Sequence, residues 1–223
     1  MVIQKRKMTK KQLKEDKLVT YIFTVRNYFE ENWKRIAGAA VGVFVIVALV
    51  MVYMNSKKKA AFDASYQLSV AEVKYINGDY ASAIPDLQTV TNNFSGTPSA
   101  GVAVFYLANA YFFTKDYENA EKYFKEYIDD YGDDEDLLCS SYAGLGAVFE
   151  DRNNYPEAAG YYEEGALKLP DNFQVPKCKL GAARCYKLAG NKEKAEEILK
   201  KLVEEYPNSA EVRDANILLA SLK

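Results

Sequence analysis

The 223-residue chain contains no histidine, only three cysteines and a single tryptophan. The absence of histidine removes the commonest general base and the commonest metal ligand of proteins. The cysteines, Cys139, Cys178 and Cys185, form no C-x-x-C pair, so the spacing of a zinc site is absent. Cys178 and Cys185 would share a helix face but lie too far apart to bridge, and we interpret all three as buried core thiols. The sequence therefore predicts a protein that is not an enzyme, with no catalytic, cofactor or metal site.

Charge is divided unevenly along the chain, although the net charge is only −2. Residues 1–35 carry ten Lys/Arg and four Asp/Glu, whereas residues 55–223 carry nineteen Lys/Arg and twenty-seven Asp/Glu. Most of the chain is thus acidic. Because affinity for nucleic acid comes largely from neutralising phosphates, this balance disfavours nucleic acid as a partner.

A nineteen-residue run without charge, residues 36–54, separates the basic arm from the acidic part. At the helical rise it spans roughly 28 Å, close to the ~30 Å hydrocarbon core of a bilayer. The preceding arm, 1–35, is too long and mixed for an ordinary signal peptide, and lysines 57–59 follow the run closely. We therefore predict an uncleaved signal anchor, with a transmembrane helix at 36–54 and a linker at 55–63. The positive residues of the arm favour a cytoplasmic N-terminus.

The arm itself has an apolar face with helical spacing. Its members recur every three or four residues: Leu18, Ile22, Val25, Phe29 and Trp33. Basic residues flank this face, as in helices that lie among lipid headgroups. A contact with a membrane complex and a frayed basic leader are the alternatives.

A six-residue tag recurs four times in the acidic part. It reads G-D-Y-A-S-A at 78–83, K-D-Y-E-N-A at 115–120, N-N-Y-P-E-A at 153–158 and G-N-K-E-K-A at 190–195. The closing alanines, Ala83, Ala120, Ala158 and Ala195, are 37, 38 and 37 residues apart, which is typical of a stacked repeat array. Each tag lies between two amphipathic stretches and predicts the turn of a helical hairpin. We expect each alanine to pack where the two helices cross, because a larger side chain would force them apart at a cost of roughly 1–3 kcal/mol.

Two other motifs have structural interpretations. Gly144-Leu145-Gly146 is half of a dinucleotide-binding fingerprint, but no strand precedes it, so helix packing is the better interpretation. The acidic segment 129–136 lacks the alternation of a calcium loop, and we interpret it as a solvated turn between repeats.

The tags and their surroundings resemble the tetratricopeptide repeat (TPR). The shared features are the G-D-Y-x-x-A turn, an aromatic residue after it, and a small residue twelve positions before each alanine: Ala71, Ala108, Gly146 and Ala183. The resemblance implies an all-α fold, in which an N-terminal transmembrane helix is followed by a TPR α-solenoid. Four helix-turn-helix repeats and a capping helix at 209–222 would fill the TPR domain, residues 64–223.

The TPR resemblance also implies a concave groove for a peptide or protein partner. The family's inward-facing positions fall here on Tyr75, Phe105, Tyr106, Asn109, Phe112, Phe113 and Arg184. The alternative is that the aromatic members pack against neighbouring helices. A clamp for a chaperone's C-terminal carboxylate is disfavoured, because Ala143 and Gly144 stand where a basic residue is needed.

The complete layout resembles a narrower family. The arm motif Y-F-E-E-N-W-K at 28–34, one membrane helix and an exported TPR domain are similar to the YfgM-like ancillary subunit of the bacterial Sec translocon, and more broadly to envelope TPR scaffolds. This resemblance implies a single-pass protein of the bacterial inner membrane with a periplasmic TPR domain that connects the translocon to periplasmic chaperones. The alternatives are a cytosol-facing anchored receptor of the organelle-import type and, more remotely, a serine–lysine hydrolase.

Overall fold

The computed structural model describes the backbone of residues 10–222 and the side chains of residue 17 and residues 19–222. That part of the chain is helical, with short turns and no strand. In chain order the helices are α1 (Lys10–Ile76), α2 (Tyr80–Asn93), α3 (Pro98–Phe113), α4 (Tyr117–Asp130), α5 (Glu135–Asp151), α6 (Tyr155–Lys168), α7 (Val175–Leu188), α8 (Lys192–Glu205) and α9 (Val212–Ala220).

The chain divides into two units, residues 1–58 and residues 59–223. In the first unit the described residues all belong to α1, which includes the apolar run. An 18-residue window of α1 has a mean hydropathy of 2.7 and none of it is buried, so α1 is long and apolar enough to cross a membrane. The predicted apolar face of the arm is exposed at Ile22, Phe29 and Trp33, while the side chain of Leu18 lies outside the described residues.

The second unit is a stack of helical hairpins. Its helices contact their neighbours in the chain from α2 to α9, and α3, α5, α7 and α9 also contact one another in succession. The end of α1 closes the first hairpin, because Leu68 and Ala71 share a core cluster with Ala83 and Leu87 of α2. Residues 55–63, the predicted linker, are helical and belong to α1. The predicted all-α solenoid of four hairpins with α9 at its end is confirmed.

The four tags form turns with one backbone geometry. In each, a residue with positive φ precedes the residue that caps the second helix: Gly78 (φ 78°), Lys115 (64°), Asn153 (61°) and Gly190 (85°). The capping side chains of Asp79, Asp116 and Asn191 each accept a hydrogen bond of 3.2 Å from the backbone N–H three residues on. In the third turn Asn154 instead donates from Nδ2 to Glu157 Oε2 at 2.6 Å. The tags are therefore turns whose second residue is the N-cap of the next helix.

Small residues allow close packing in the core. The four tag alanines have no exposed surface, as expected for a position between crossing helices. Gly144 faces Phe124, whose ring a Cβ atom would overlap. A Cβ atom on Gly146 or Gly181 would lie 2.7 or 2.8 Å from the ring of Tyr162, which is held between these two glycines. The interpretation of Gly144 and Gly146 as helix-packing residues is confirmed.

The three cysteines are free thiols with no exposed surface, as predicted. The sequence directed attention to Cys178 and Cys185, but the sulfur atoms in contact are those of Cys139 and Cys178, 3.8 Å apart between α5 and α7. Burial raises the pKa of the Cys185 thiol to about 12. Such protonated, enclosed thiols behave as core residues.

Candidate functional site

A cavity of about 290 Å³ lies along the inner layer of the array, where α3, α5 and the start of α7 come together. It is lined by aromatic, small and polar side chains: Phe105, Asn109, Phe112, Phe113, Phe124, Ser140, Ala143, Gly144, Ala147, Tyr162, Gln174 and Lys177. Four of the seven predicted groove residues, Phe105, Asn109, Phe112 and Phe113, are thus brought to one place.

One side of the cavity is an aromatic wall from α3. Phe105 is partly buried, and its ring contacts those of Phe124 and Tyr127 at centroid distances of 6.4 and 5.9 Å. Phe113 is 49% exposed and stacks on Tyr80 at 4.5 Å. The wall therefore has a buried base at Phe105, which supports the hairpin, and an accessible upper edge at Phe113.

The floor of the cavity is made of small residues on α5. Ala143, Gly144 and Ala147 line the cavity beside the aromatic wall, and none of them has a side chain larger than a methyl group. Phe124 packs beneath Gly144, so the floor is held in position from below. An aromatic wall beside a low floor suits an apolar side chain whose own backbone must come close to the protein.

The opposite side of the cavity is polar. Gln174 Nε2 donates to Ser140 Oγ at 2.8 Å, and Ser140 Oγ lies 2.8 Å from the carbonyl oxygen of Asp136, to which it can donate. Lys177 extends this side with an exposed cation. Sequence reasoning missed Ser140, Gln174 and Lys177. Ser140 and Gln174 are 34 residues apart, one repeat period less one helical turn, and that offset could have identified them.

The predicted groove residues Tyr75 and Tyr106 lie in a neighbouring cluster and do not line the cavity. Their rings are 4.7 Å apart, and Tyr75 also packs edge-on against Tyr80 at 5.2 Å. Burial, together with the nearby Tyr80 and Tyr106 hydroxyls, raises the pKa of Tyr75 to about 12. For these two tyrosines the alternative, packing against neighbouring helices, describes the observed contacts.

The remaining polar candidates are engaged within the protein. Arg184 donates from Nε and Nη2 to the two carboxylate oxygens of Glu150, at 2.6 and 2.7 Å. Burial opposes ionisation of Glu150, but the guanidinium outweighs it, and the pKa of this carboxyl lies below its usual value. Asn109 Nδ2 donates to the carbonyl oxygen of Phe105 in its own helix, at 2.9 Å. Neither side chain is placed to hold a terminal carboxylate.

The acidic segment 129–136 contributes turn and capping contacts. Asp134 starts α5 by accepting from the N–H groups of Asp136 and Leu137, both at 3.0 Å, and Asp136 accepts from Asn172 Nδ2 at 2.8 Å. Among the described residues no group of three or more Cys, Asp or Glu side chains is arranged to hold a metal ion.

Several solved structures share this fold. Nearly identical TPR-like repeats from Podosopora anserina superpose with a TM-score of 0.58 at 18% identity, over 71% of this chain and 84% of that one. A tetratricopeptide repeat protein from Parabacteroides merdae gives 0.59 at 12% identity, over 71% and 59%. A signal-transduction ATPase with a tetratricopeptide repeat sensor from Pyrococcus horikoshii gives 0.62 at 19% identity, over 71% and 26%. At these identities the likeness shows the fold alone.

Family comparison of the sequence agrees with the hairpin geometry. The tetratricopeptide repeat-like domain matches residues 26–164, more than half of the chain, and a tetratricopeptide repeat matches residues 150–220. Together the two matches extend from the basic arm to α9. With four hairpins, a shared turn and small residues at every crossing, the chain belongs to the tetratricopeptide repeat-like family.

Proposed function

We propose that this chain is a membrane-anchored adaptor whose inner face binds an extended or helical segment of a polypeptide. Tetratricopeptide repeats are protein-interaction scaffolds, which sets the general class of function. The observation that carries the proposal is the cavity between α3, α5 and α7, which has an aromatic wall, a small floor and a polar side. An apolar side chain of the bound segment would rest on Phe112 and Phe113. Its backbone amide and carbonyl groups would meet Ser140 and Gln174.

The same side chains argue against the hydrolase alternative. Ser140 is the serine that lines the cavity, and its Oγ bonds the Asp136 carbonyl oxygen and the Gln174 carboxamide. Neither partner is a general base that could activate the hydroxyl, and the lysine of the same cavity, Lys177, is exposed and is not among the groups that hydrogen-bond Ser140. A binding surface accounts for these contacts without a catalytic step.

Binding is tested with reduced, carboxymethylated α-lactalbumin as a defined unfolded polypeptide, followed by fluorescence anisotropy. Ala147→Arg fills the cavity from its floor, and Phe113→Ala removes the accessible edge of the wall. Each is expected to weaken binding by roughly tenfold or more, as for central positions of an interface.

Phe173→Ala is the matched control, because Phe173 is 75% exposed and does not line the cavity. The affinity of the Phe173→Ala variant for the unfolded polypeptide should equal that of the unmodified chain. Unchanged affinity in both cavity variants, with melting temperatures also unchanged, would show that the polypeptide binds elsewhere.

Anchoring and sidedness form the second part of the proposal. The length and hydropathy of α1 support a single membrane span, and the basic arm supports a cytoplasmic N-terminus with the array outside. The family match begins at residue 26 and so includes the end of the arm and the apolar run. With the YfgM-like arm motif, these features favour the bacterial inner membrane, with the Sec translocon and periplasmic chaperones as partners.

Topology distinguishes this proposal from the cytosol-facing receptor. The native cysteines have no exposed surface, so a cysteine introduced at the exposed Ser82 gives the array one accessible thiol. A membrane-impermeant maleimide should label Ser82→Cys in intact bacterial cells whose outer membrane has been permeabilised. Thr24→Cys, in the arm, should be labelled only after lysis. The reverse pattern would establish the receptor orientation.

The translocon assignment has its own test. A photo-crosslinking amino acid replaces Trp33 in the arm, and adducts from native membranes are identified by mass spectrometry. We expect translocon subunits among the adducts, and the same substitution at the exposed Phe173 of the array serves as the control. Adducts containing only lipid would contradict a protein contact of the arm.

A further inference from the structure

The outer side of the last four turns of α1 is exposed and uncharged. The residues on this side are Phe62, Ser65, Tyr66, Ser69, Val70, Val73 and Ile76. Five of them are large apolar residues, with exposed fractions from 44% at Val70 to 77% at Ile76. We call residues 62–76 of this side the α1 face.

The two ends of the solenoid differ in how they meet solvent. A helical stack needs a polar outer side on its terminal helices, because each repeat otherwise leaves an apolar surface for the next one. At the C-terminal end α9 largely meets this need, since its exposed side carries Arg213, Asp214 and Asn216 beside Ile217. At the other end the α1 face presents the kind of surface on which another helix packs.

The exposed apolar area of the α1 face can be compared with the area that a stable dimer buries. Side chains of these sizes, exposed by 44–77%, leave roughly 500–600 Å² of apolar area on the α1 face. Two copies that covered this area completely would bury at most about 1,000–1,200 Å², which reaches the lower limit of specific interfaces. We propose that the α1 face binds the same face of a second copy, forming a two-fold symmetric dimer.

The spacing along the α1 face suits a pair of helices. Phe62, Tyr66, Ser69, Val73 and Ile76 follow one another at intervals of four, three, four and three, as in the seam of a coiled coil. Ser69 is at the midpoint of this series, and its small side chain allows two helices to approach there. In a symmetric pair the midpoint residue meets its own copy, whichever way the helices run.

The charged residues to either side of the α1 face lie off it, and the exposed lysines 58–59 precede it by one turn. Lys74 lies to one side and is paired with Asp86 of α2, Nζ to Oδ2, at 2.6 Å. Asp63 and Glu72 are partly buried and also lie off the exposed side. An uncharged seam with charges at its margins is the arrangement expected of a helix–helix interface.

The test uses the full chain in vesicles of phosphatidylethanolamine and phosphatidylglycerol at a low protein-to-lipid ratio. Ser69→Cys places a thiol at the proposed two-fold axis, and copper phenanthroline oxidises thiol pairs that meet to a disulfide. We expect Ser69→Cys to give several-fold more covalent dimer than Thr89→Cys, which is also exposed but lies on α2. The native cysteines are buried and contribute little background.

A second pair of variants separates the α1 face from the apolar run as the cause of association. Tyr66→Glu and Val73→Glu, each combined with Ser69→Cys, should reduce the crosslink to the level of Thr89→Cys, because a carboxylate would be buried in the seam. Equal crosslinking at Ser69 and Thr89, or crosslinking that survives both glutamates, would overturn the proposal. A monomer whose Ser69→Cys thiol is shielded from maleimide only when vesicles are present would show that the face binds lipid instead.

Discussion

Ala120 lies in the first turn of α4, where that helix packs on α3, and it shares a core cluster with Ala108, which is also fully buried. Ala120→Leu should lower the free energy of unfolding by roughly 1–3 kcal/mol, because three extra carbon atoms must force the two helices apart. Urea denaturation of the array measures this change. Ala81→Leu, at an exposed position of α2, is the control and should leave the midpoint nearly unchanged. Equal midpoints in the two variants would show that the crossing is not tightly packed.

Lys115 occupies the turn position that is glycine in the first and fourth repeats, and its φ of 64° is unfavourable for a side chain. Its side chain is exposed. Lys115→Gly should therefore raise stability, by about 1 kcal/mol at most, since the relief of strain exceeds the entropy cost of glycine. Thermal unfolding measures the effect. Gly190→Ala, the reverse change in the fourth turn, should lower the melting temperature, and a gain there would contradict the argument.

At the scale of residues, the sequence predicted the positions that recur in every repeat and missed contacts that occur at only one place in the array. The period identified the four alanines because each repeat imposes the same steric limit. It did not identify the ring of Tyr162 between Gly146 and Gly181, because these residues come from three different helices. Nor did it identify the left-handed Lys115, whose side chain gives no local signal of positive φ, whereas Asn153 is a residue type that often ends a helix in this conformation.

At the scale of elements, the pair formed by Glu150 and Arg184 joins α5 to α7, the inner helices of successive repeats. The carboxylate has a lowered pKa in the folded chain, so the pair stabilises the fold above the ordinary carboxyl pKa of 4.5 and loses this contribution as the pH falls through the folded value. Glu150→Gln should therefore lose more stability at pH 7 than at pH 3. Denaturation midpoints at both pH values measure this.

The control for this pH dependence is Glu197→Gln. Glu197 lies on α8 and pairs at 2.7 Å with Lys201 of the same helix, with both side chains more than half exposed. Surface pairs of this kind contribute little, so its midpoint should change little at either pH. An equal loss of stability at pH 7 and pH 3 for Glu150→Gln would mean that Glu150 stabilises the fold through packing and not through its charge.

The pairing of elements shows why contacts between repeats were harder to predict than the hairpins. The hairpins follow from amphipathic stretches on either side of a polar tag. The contacts between inner helices join residues 34 to 39 apart, as in Glu150 with Arg184 and Cys139 with Cys178. These offsets equal the 37-residue period within about one helical turn. The approximate spacing of these contacts could therefore be predicted from the period, but which side chains meet depends on how the helices cross.

At the scale of the whole molecule, α9 closes the end of the array. Ala215 is fully buried, and Val212, Leu218, Leu219 and Leu222 pack against the larger core cluster. Truncation after residue 208 should cost roughly 2–4 kcal/mol, because the apolar side of α8 becomes exposed. Hydrogen exchange should show the greatest loss of protection in α7 and α8 and much less in α3 and α4. In a stack of repeats each hairpin is stabilised mainly by its immediate neighbours.

Ile217→Ala provides the control for the truncation, because Ile217 is 59% exposed on α9. It should retain the protection of α7 and α8. An even loss of protection across all helices after truncation would indicate a single cooperative core in place of a stack of repeats.

The apolar run and the uneven division of charge could be recognised in the sequence because each depends on composition summed over many residues. The run at 36–54 and the charge difference on its two sides require no knowledge of packing. The continuity of α1 through lysines 57–59 was not predicted, although lysine is a good helix former and nothing there stops a helix. The aromatic side of the cavity could be predicted from the groove positions on α3, whereas its polar side depended on where α7 begins.

The ring of Tyr162 restricts which substitutions can accumulate in this part of the sequence during evolution. Because the ring fills the space that two missing methyl groups would occupy, neither Gly146 nor Gly181 can enlarge first without a clash. A smaller residue at 162 would have to appear beforehand and leave a temporary void, which itself costs stability. The three positions are therefore expected to change as a set, so homologues that diverge here should differ at all three or at none.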